Sequence, residues 1–400
     1  MTTGGLGGGA GEVGSGGTPG TGGQGGTGQG GTTTTGQGGT GQVSECQDPL
    51  VFADPVVEAA VRGEAGVATD PLTPAAIAYV RDLYLDGATD LDGVQCLPRL
   101  EAITLESSPL QNLAPIGAVA TLTSVTISNS GLTDLTPLGS LTNLIYLYLN
   151  NNNISDITPL ESLANLTELQ ANNNDISDLT PLASLTSLTD LLLVSNNVSD
   201  VAPLGSMTTL TELQLRDNGI SDITALGSLT NLYSLALDDN DIGDVSALGA
   251  LTNLGGLTLG GNNISDVTEL ESLTSLTSLD LSDNLIDDIS ALAPLATLST
   301  LTLDDNSISD ITALDSLGVY TLSLTNNEIS DIAALASLTN LVILRLGNNE
   351  VTDLAPLVAN FGMGSGDQVN LTNNPFDCGE QATNISALVA RGVSLTTGCP

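Results

Sequence analysis

Histidine and lysine are both missing from this 400-residue chain, whose only cations are six arginines against 46 acidic residues, for a formal net charge of −40. Without those two side chains, the usual general base and the usual Schiff-base amine are absent. Paired carboxylates abound, but they recur at fixed positions that a repeat explains, so the chain is not read as an enzyme. So acidic a surface repels phosphate backbones and anionic lipid, which excludes nucleic acid as a partner. Long apolar runs are missing as well. Asn, Asp, Ser or Thr interrupts every few leucines, and no stretch reaches the roughly 18 to 20 residues a spanning helix needs. The chain is not expected to insert into a membrane.

Cysteine is scarce and placed only at the ends: Cys46 and Cys96 near the start, Cys378 and Cys399 at the finish. Two disulfides closing the two ends suit this distribution better than zinc half-sites, since no His is available and neither pair has zinc spacing. An oxidising, extracellular or cell-surface location follows from the pairs. It does not follow from a leader, because the first 45 residues show no basic start and no apolar middle.

What the chain does have is a period. The segment from Leu141 to Ser162 is rewritten with small edits from Leu163, Leu185, Met207, Leu229, Leu251, Leu273, Leu295 and Leu317, a spacing of 22 residues that begins at Leu97. A fixed period of this size means an array in which each unit touches only its neighbours. Four segments are expected. Residues 1–45, with 21 glycines, cannot bury enough surface to offset their ordering entropy and read as a tether. Residues 46–79 read as a helical cap, with Asp54-Pro55 and Thr73-Pro74 as helix starts. Residues 80–374 carry the array. Residues 375–400 form a C-terminal cap, with a helix near Thr383 to Arg391 stopped by Gly392.

Inside one unit, Leu147-x-Leu149 alternates at period two and predicts a short strand with its leucines inward. An Asn follows three residues later, from Asn152 and Asn174 through Asn349 and Asn374, placed to pair with backbone groups left open where the chain turns away from the sheet. Apolar residues at 154, 157 and 160 recur every third position, which predicts a 3₁₀ turn, with Thr136, Thr158 and Thr180 as its caps. One unit alone cannot offset the entropy of its own ordering. Stacking supplies the shared core and the sheet hydrogen bonds.

The string Leu-x-x-Leu-x-x-Leu-x-Leu-x-x-Asn-x-Ile-Ser-Asp-Ile-x-Pro-Leu resembles the leucine-rich repeat family, in the 22-residue class found in bacterial internalins, over about residues 77 to 374. The Pro-Leu-Thr-Pro of the N-terminal cap and the tail from Asn374-Pro-Phe-Asp-Cys378 are similar to the caps of secreted bacterial members. The resemblance implies an α/β solenoid: a right-handed superhelix with a parallel, concave β-sheet, short 3₁₀ or irregular convex segments, a helical N-terminal cap and a disulfide-closed C-terminal cap. It also implies that the concave face binds protein, without naming a partner.

Most outward positions of that face are small. Four consecutive units differ, offering Tyr146 and Tyr148, then Glu168, Gln170 and Asn172, then Leu192 and Val194, then Glu212, Gln214 and Arg216, over roughly 15 Å at about 4.8 Å per strand. Tyr and Arg anchor interfaces, and Leu192 and Val194 have no other evident reason to face water, so these ten residues are the expected partner site. A second candidate is cationic. Asp217, Asp238, Asp239, Asp280, Asp283, Asp304 and Asp305 line one edge and could offer oxygens to calcium, although no EF-hand or nonapeptide calcium motif is present. A further Asp recurs once per unit from Asp134 to Asp353, where hydrogen bonding within the turn is the plain explanation. Six Asn-x-Ser/Thr sequons, such as Asn153-Ile-Ser155, follow from the repeat consensus and carry little weight. The expected protein is therefore a monomeric extracellular binding module with no required cofactor. The alternative is an acidic structural or adhesive surface component, calcium-stabilised and without one specific partner.

Overall fold

The computed structural model describes residues 44–110 and 112–399, which all fall in one compact unit. The tether expected at 1–45 lies, apart from Ser44 and Glu45, outside the described residues.

Each Leu-x-Leu pair becomes a strand. The first three are five residues long: β1 (Asp82–Asp86), β2 (Ala102–Glu106) and β3 (Ser124–Ser128). Twelve strands of three residues follow: β4 (Tyr146–Tyr148), β5 (Glu168–Gln170), β6 (Asp190–Leu192), β7 (Glu212–Gln214), β8 (Ser234–Ala236), β9 (Gly256–Thr258), β10 (Ser278–Asp280), β11 (Thr300–Thr302), β12 (Thr321–Ser323), β13 (Ile343–Arg345), β14 (Gln368–Asn370) and β15 (Ser394–Thr396). They form one parallel 15-stranded sheet in sequence order. Such a sheet, with a crossover after every strand, winds as a right-handed superhelix whose concave side is the sheet. The register steps by 20 residues from Leu83 to Ile103, and by 22 at each step from there to Leu301, as from Leu147 to Leu169. It then steps by 21 from Leu301 to Leu322 and by 25 from Leu344 to Val369, where the sequence rhythm shortens and stretches. Because side chains alternate across a strand, a constant step keeps every Leu147-type residue on the inner face. Leu147, Leu149, Leu169 and Leu191 are all buried.

The return paths are 3₁₀ turns such as Thr136–Ser140, Thr158–Ser162 and Thr180–Ser184, each burying one leucine: Leu138, Leu160 and Leu182. Their capping corrects the sequence expectation. Thr136 and its equivalents are the first helical residues and do not cap; the open N–H of Thr136 is taken by the Asp134 carboxylate at 2.8 Å. The same bond joins Asp156 to Thr158 and Asp222 to Thr224, both at 2.9 Å. The once-per-unit Asp is therefore the cap, and the Thr is what it caps.

The recurrent Asn does what its donor and acceptor count suggested. Asn152 Nδ2 donates to the carbonyls of Ile127, Leu149 and Asn150, while its Oδ1 accepts from the amides of Ser130 and Leu132. Ser130 and Ser108 continue this column toward the N-terminus with a hydroxyl in place of the amide. Among the described residues, no buried side-chain nitrogen or oxygen lacks a hydrogen-bond partner.

The ends differ from the middle. Helix α1 (Pro55–Ala65) begins at Asp54, whose carboxylate accepts the N–H of Val56 and stops against Gly66 in the left-handed region. Asp54 also accepts from the amides of Thr89 and Asp90 and the Thr89 hydroxyl, fixing the helix to the first unit. Burial raises its pKa, but these donors outweigh that and hold it below the ordinary carboxylate value. A short helix α2 (Pro74–Ile77) completes the layer, capped by Thr73. Two single-turn helices, α3 (Ala114–Gly117) and α4 (Ala355–Ala359), replace 3₁₀ turns near the two ends. At the C-terminal end, α5 (Ala382–Ala390) precedes Gly392, whose φ of 91° explains the glycine. Disulfides join Cys46 to Cys96 and Cys378 to Cys399.

Candidate partner-binding face

Parallel register brings the ten expected partner-binding residues into three adjacent lanes. In the first lane Tyr146 faces Glu168, which faces Asp190, which faces Glu212, one strand apart each time. In the second, Tyr148, Gln170, Leu192 and Gln214 follow one another. The third lies just past the strands and holds Asn150, Asn172, Val194 and Arg216.

Side chains hold one another within these lanes. Gln170 Nε2 donates to Glu168 at 2.7 Å, and Gln214 Nε2 donates to Glu212 at 2.5 Å. Asn150 Nδ2 donates to Gln170 Oε1, and the Arg216 Nε meets Asp238 at 3.0 Å. Side chains fixed in advance lose less entropy when a partner docks. Tyr146 is 43 % exposed, whereas Tyr148 beside it is half-buried. Burial and then the neighbouring Glu168 carboxylate push the Tyr148 phenol up to about 12.

Two expectations are adjusted. Leu192 and Val194 are half-buried, not freely exposed. Longer residues stand on both sides of each, Gln170 and Gln214 beside Leu192, Asn172 and Arg216 beside Val194, so the pair is a partly sheltered apolar floor. Asn172 serves the fold as well as the face, since its Oδ1 accepts the Val194 N–H at 2.8 Å.

The seven aspartates weighed for calcium sort into two structural roles. Asp217, Asp239, Asp283 and Asp305 have φ between 50° and 55°, the left-handed region that Asn and Asp enter more readily than most residues. Asn151, Asn173, Asn326 and Asn348 occupy the same turn position elsewhere, and Gly87 and Gly261 also take it. Asp238, Asp280 and Asp304 instead accept backbone amides, from Gly260, Ser282 and Thr325. Among the described residues, no group of three or more Asp, Glu, Cys or His converges to hold a metal ion.

Exposed aromatic residues outside the expected patch were missed. Tyr79, Tyr84, Tyr233 and Tyr320 are 76 %, 64 %, 64 % and 55 % exposed. Tyr233 and Tyr320 stand in the lane just before the strands, where Thr is the commonest residue. Reading that lane down the repeats would have found them. Two hollows lie elsewhere. One of about 210 Å³ at the C-terminal end of the sheet is lined by Ile343, Arg345, Gln368, Asn370 and Thr396. The other, of about 350 Å³, lies among the capping aspartates Asp288 and Asp310.

The family model described as leucine-rich repeats (2 copies) matches residues 120–162, 252–294 and 321–359. No curated protein sequence matches the chain. Among solved structures, an internalin from Listeria monocytogenes is 31 % identical, with a TM-score of 0.73 over 88 % of this chain and 96 % of that one. A leucine-rich repeat protein of Leptospira interrogans is 24 % identical, with a TM-score of 0.73 over 81 % of this chain and 86 % of that one. The leucine-rich repeat ectodomain of a plant membrane receptor kinase, GASSHO1/SCHENGEN3 from Arabidopsis thaliana, shares the fold at 21 % identity and a TM-score of 0.65, covering 80 % of this chain and 41 % of that one. At 31 % identity across nearly the whole length of the Listeria protein, and with the repeat built as described, this chain belongs to the leucine-rich repeat family, of the internalin type.

Proposed function

We propose that this chain is a non-enzymatic scaffold, extracellular or at a cell surface, that recognises a protein partner through the concave face formed by β4 to β7. The observation that carries this reading is the in-register run from Tyr146 and Tyr148 to Arg216. It puts interface-type residues on a face that is otherwise mostly small, with the Gln170 and Gln214 side chains among them already held by Glu168 and Glu212. The plant receptor ectodomain was solved in complex with Casparian strip integrity factor 2, which supports protein recognition as a use of this fold. Two disulfides support an oxidising location, and no described helix is long and apolar enough to cross a membrane. In this reading residues 1–45 tether the module, 46–79 and 375–400 close its ends, and 80–374 present the face.

The test is photo-cross-linking from position 170 on the face, followed by identification of what is captured. One reproducible protein, lost in Tyr146→Ala/Tyr148→Ala, is the expected result. Capture undiminished by that double substitution removes β4 to β7 from the account.

A further inference from the structure

The face proposed above has an uneven composition that points to the chemistry of its partner. Glu168, Asp190 and Glu212 occupy one lane on three successive strands, so neighbouring carboxylates lie about 5 Å apart and the outer two about 10 Å apart. Like charges at such spacing repel. Nothing among the described residues neutralises them: their side-chain hydrogen bonds come from Gln170, Thr189 and Gln214, and none enters an ion pair there. Their position needs no carboxylate for folding either, since the same lane carries Ser234, Gly256 and Ser278 on the next three strands.

Tyrosines bracket the row. Tyr146 and Tyr148 stand on β4, one strand before it, and the exposed Tyr233 stands just before β8, one strand after it. The Tyr233 ring lies over Gly255, where an added Cβ would come within 2.6 Å of it. Gly255 has no positive φ that would call for glycine, so the space it leaves is taken by the ring, which leans toward β9, on the side away from the acidic row. Carboxylates with tyrosines beside them, as Tyr146 and Tyr148 stand beside Glu168, suit a cation, which pairs with the former and stacks on the latter. Leu192, on the floor beside Asp190, suits the aliphatic stem of a long basic side chain. The raised phenol of Tyr148, to which Glu168 and Asp190 both contribute, is in keeping with a negative potential here.

Resting on the partner-binding reading, we propose that the β4 to β8 face recognises a basic segment of its protein partner, an extended stretch with Arg or Lys at alternate positions. Residues i and i+2 of an extended chain lie about 7 Å apart on one side, within reach of a row about 10 Å long.

The experiment titrates the full chain with a synthetic peptide alternating arginine and serine, using calorimetry, and compares two triple substitutions that change the net charge equally. Glu168→Gln/Asp190→Asn/Glu212→Gln is expected to weaken binding about tenfold. Asp175→Asn/Asp241→Asn/Glu328→Gln, exposed acids away from the face, is expected to change it less than about twofold. Thermal melts confirm that both variants fold. Equal weakening by the two triples would reduce the effect to general polyelectrolyte attraction and overturn the proposal. So would an unmodified chain that ignores the basic peptide, or binds an alternating glutamate and serine peptide as well. Each of these leaves the partner-binding reading to the tyrosine substitutions, which test it separately.

Discussion

The side-chain amide of Asn240 reaches back 25 residues to the carbonyl oxygen of Leu215, at 2.9 Å. The same nitrogen serves Leu237 and Asp238, and Asn240 Oδ1 accepts the Ile220 N–H at 3.0 Å. One side chain thus closes the turn of its own unit and clamps it to the one before. Replacing it by Ala strands a buried N–H and several carbonyls at about 1 to 3 kcal/mol for a group left unpaired, so Asn240→Ala is expected to destabilise the chain by about 2 to 4 kcal/mol. Asn240→Ser should cost less, because Ser130 already fills the column with a hydroxyl. Chemical denaturation measures both, and equal losses for the two variants would contradict this account.

The capping aspartates give the fold a dependence on acid. The Asp222 carboxylate is held below its ordinary value first by the Thr224 hydroxyl and then by the Thr224 amide. A folded value below the unfolded one means the cap contributes fully above the unfolded value, and the contribution fades as pH falls through the folded one. Asp222→Ala should therefore melt below the unmodified protein at about pH 7, and the gap should close below about pH 4. Asp175→Asn, which removes an exposed acid from outside the cap, corrects for the change in net charge. A gap that persists at low pH would mean the aspartate does not work as an ionised cap.

Much of this was legible in the sequence because a repeat multiplies weak signals. One Leu-x-Leu pair is ambiguous, but the same pair more than ten times in a fixed register, each followed by Asn, leaves little freedom in strand direction or inner face. The cysteine pairs and the Asp54 and Thr73 caps were legible for a simpler reason, since they depend on neighbours close in the chain or on a short list of possible partners. Aspartate was where the letters ran out. Asp239 and Asp304 read alike, yet one tolerates a positive φ and the other accepts an amide from the next strand. Only backbone angles separate those roles. Side-chain exposure was equally hidden, because how far Leu192 reaches water depends on the Gln170 and Gln214 side chains beside it.

Tyr148 offers a direct reading of the potential on the face. Its phenol is pushed up to about 12, from an ordinary 10.0, by burial first and then by Glu168. In a spectrophotometric titration, the absorbance lost in Tyr148→Phe should belong to a group titrating near that value. In Glu168→Gln it should move part of the way down, because burial remains. If the missing absorbance titrates near 10 instead, Tyr148 is neither sheltered nor next to a negative charge, and the basic-segment proposal loses one of its supports.

Asp283 separates conformation from cation binding. Its φ of 50° is the reason for a short polar residue there, and its equivalents include Asn151, Asn326 and two glycines, Gly87 and Gly261. Glycine enters this region without steric cost, whereas a β-branched residue is strained there by about 1 to 3 kcal/mol. Asp283→Gly is accordingly expected to leave stability within about 0.5 kcal/mol, and Asp283→Val to lower it by about 1 to 2 kcal/mol. Melting midpoints of the unmodified protein should coincide with calcium and with chelator, because Asp238, Asp280 and Asp304 nearby already accept backbone amides. A midpoint raised by calcium, with the rise lost in Asp283→Gly, would reverse the assignment: a ligand site at this edge would then have chosen the aspartate, and the left-handed turn would be incidental to it.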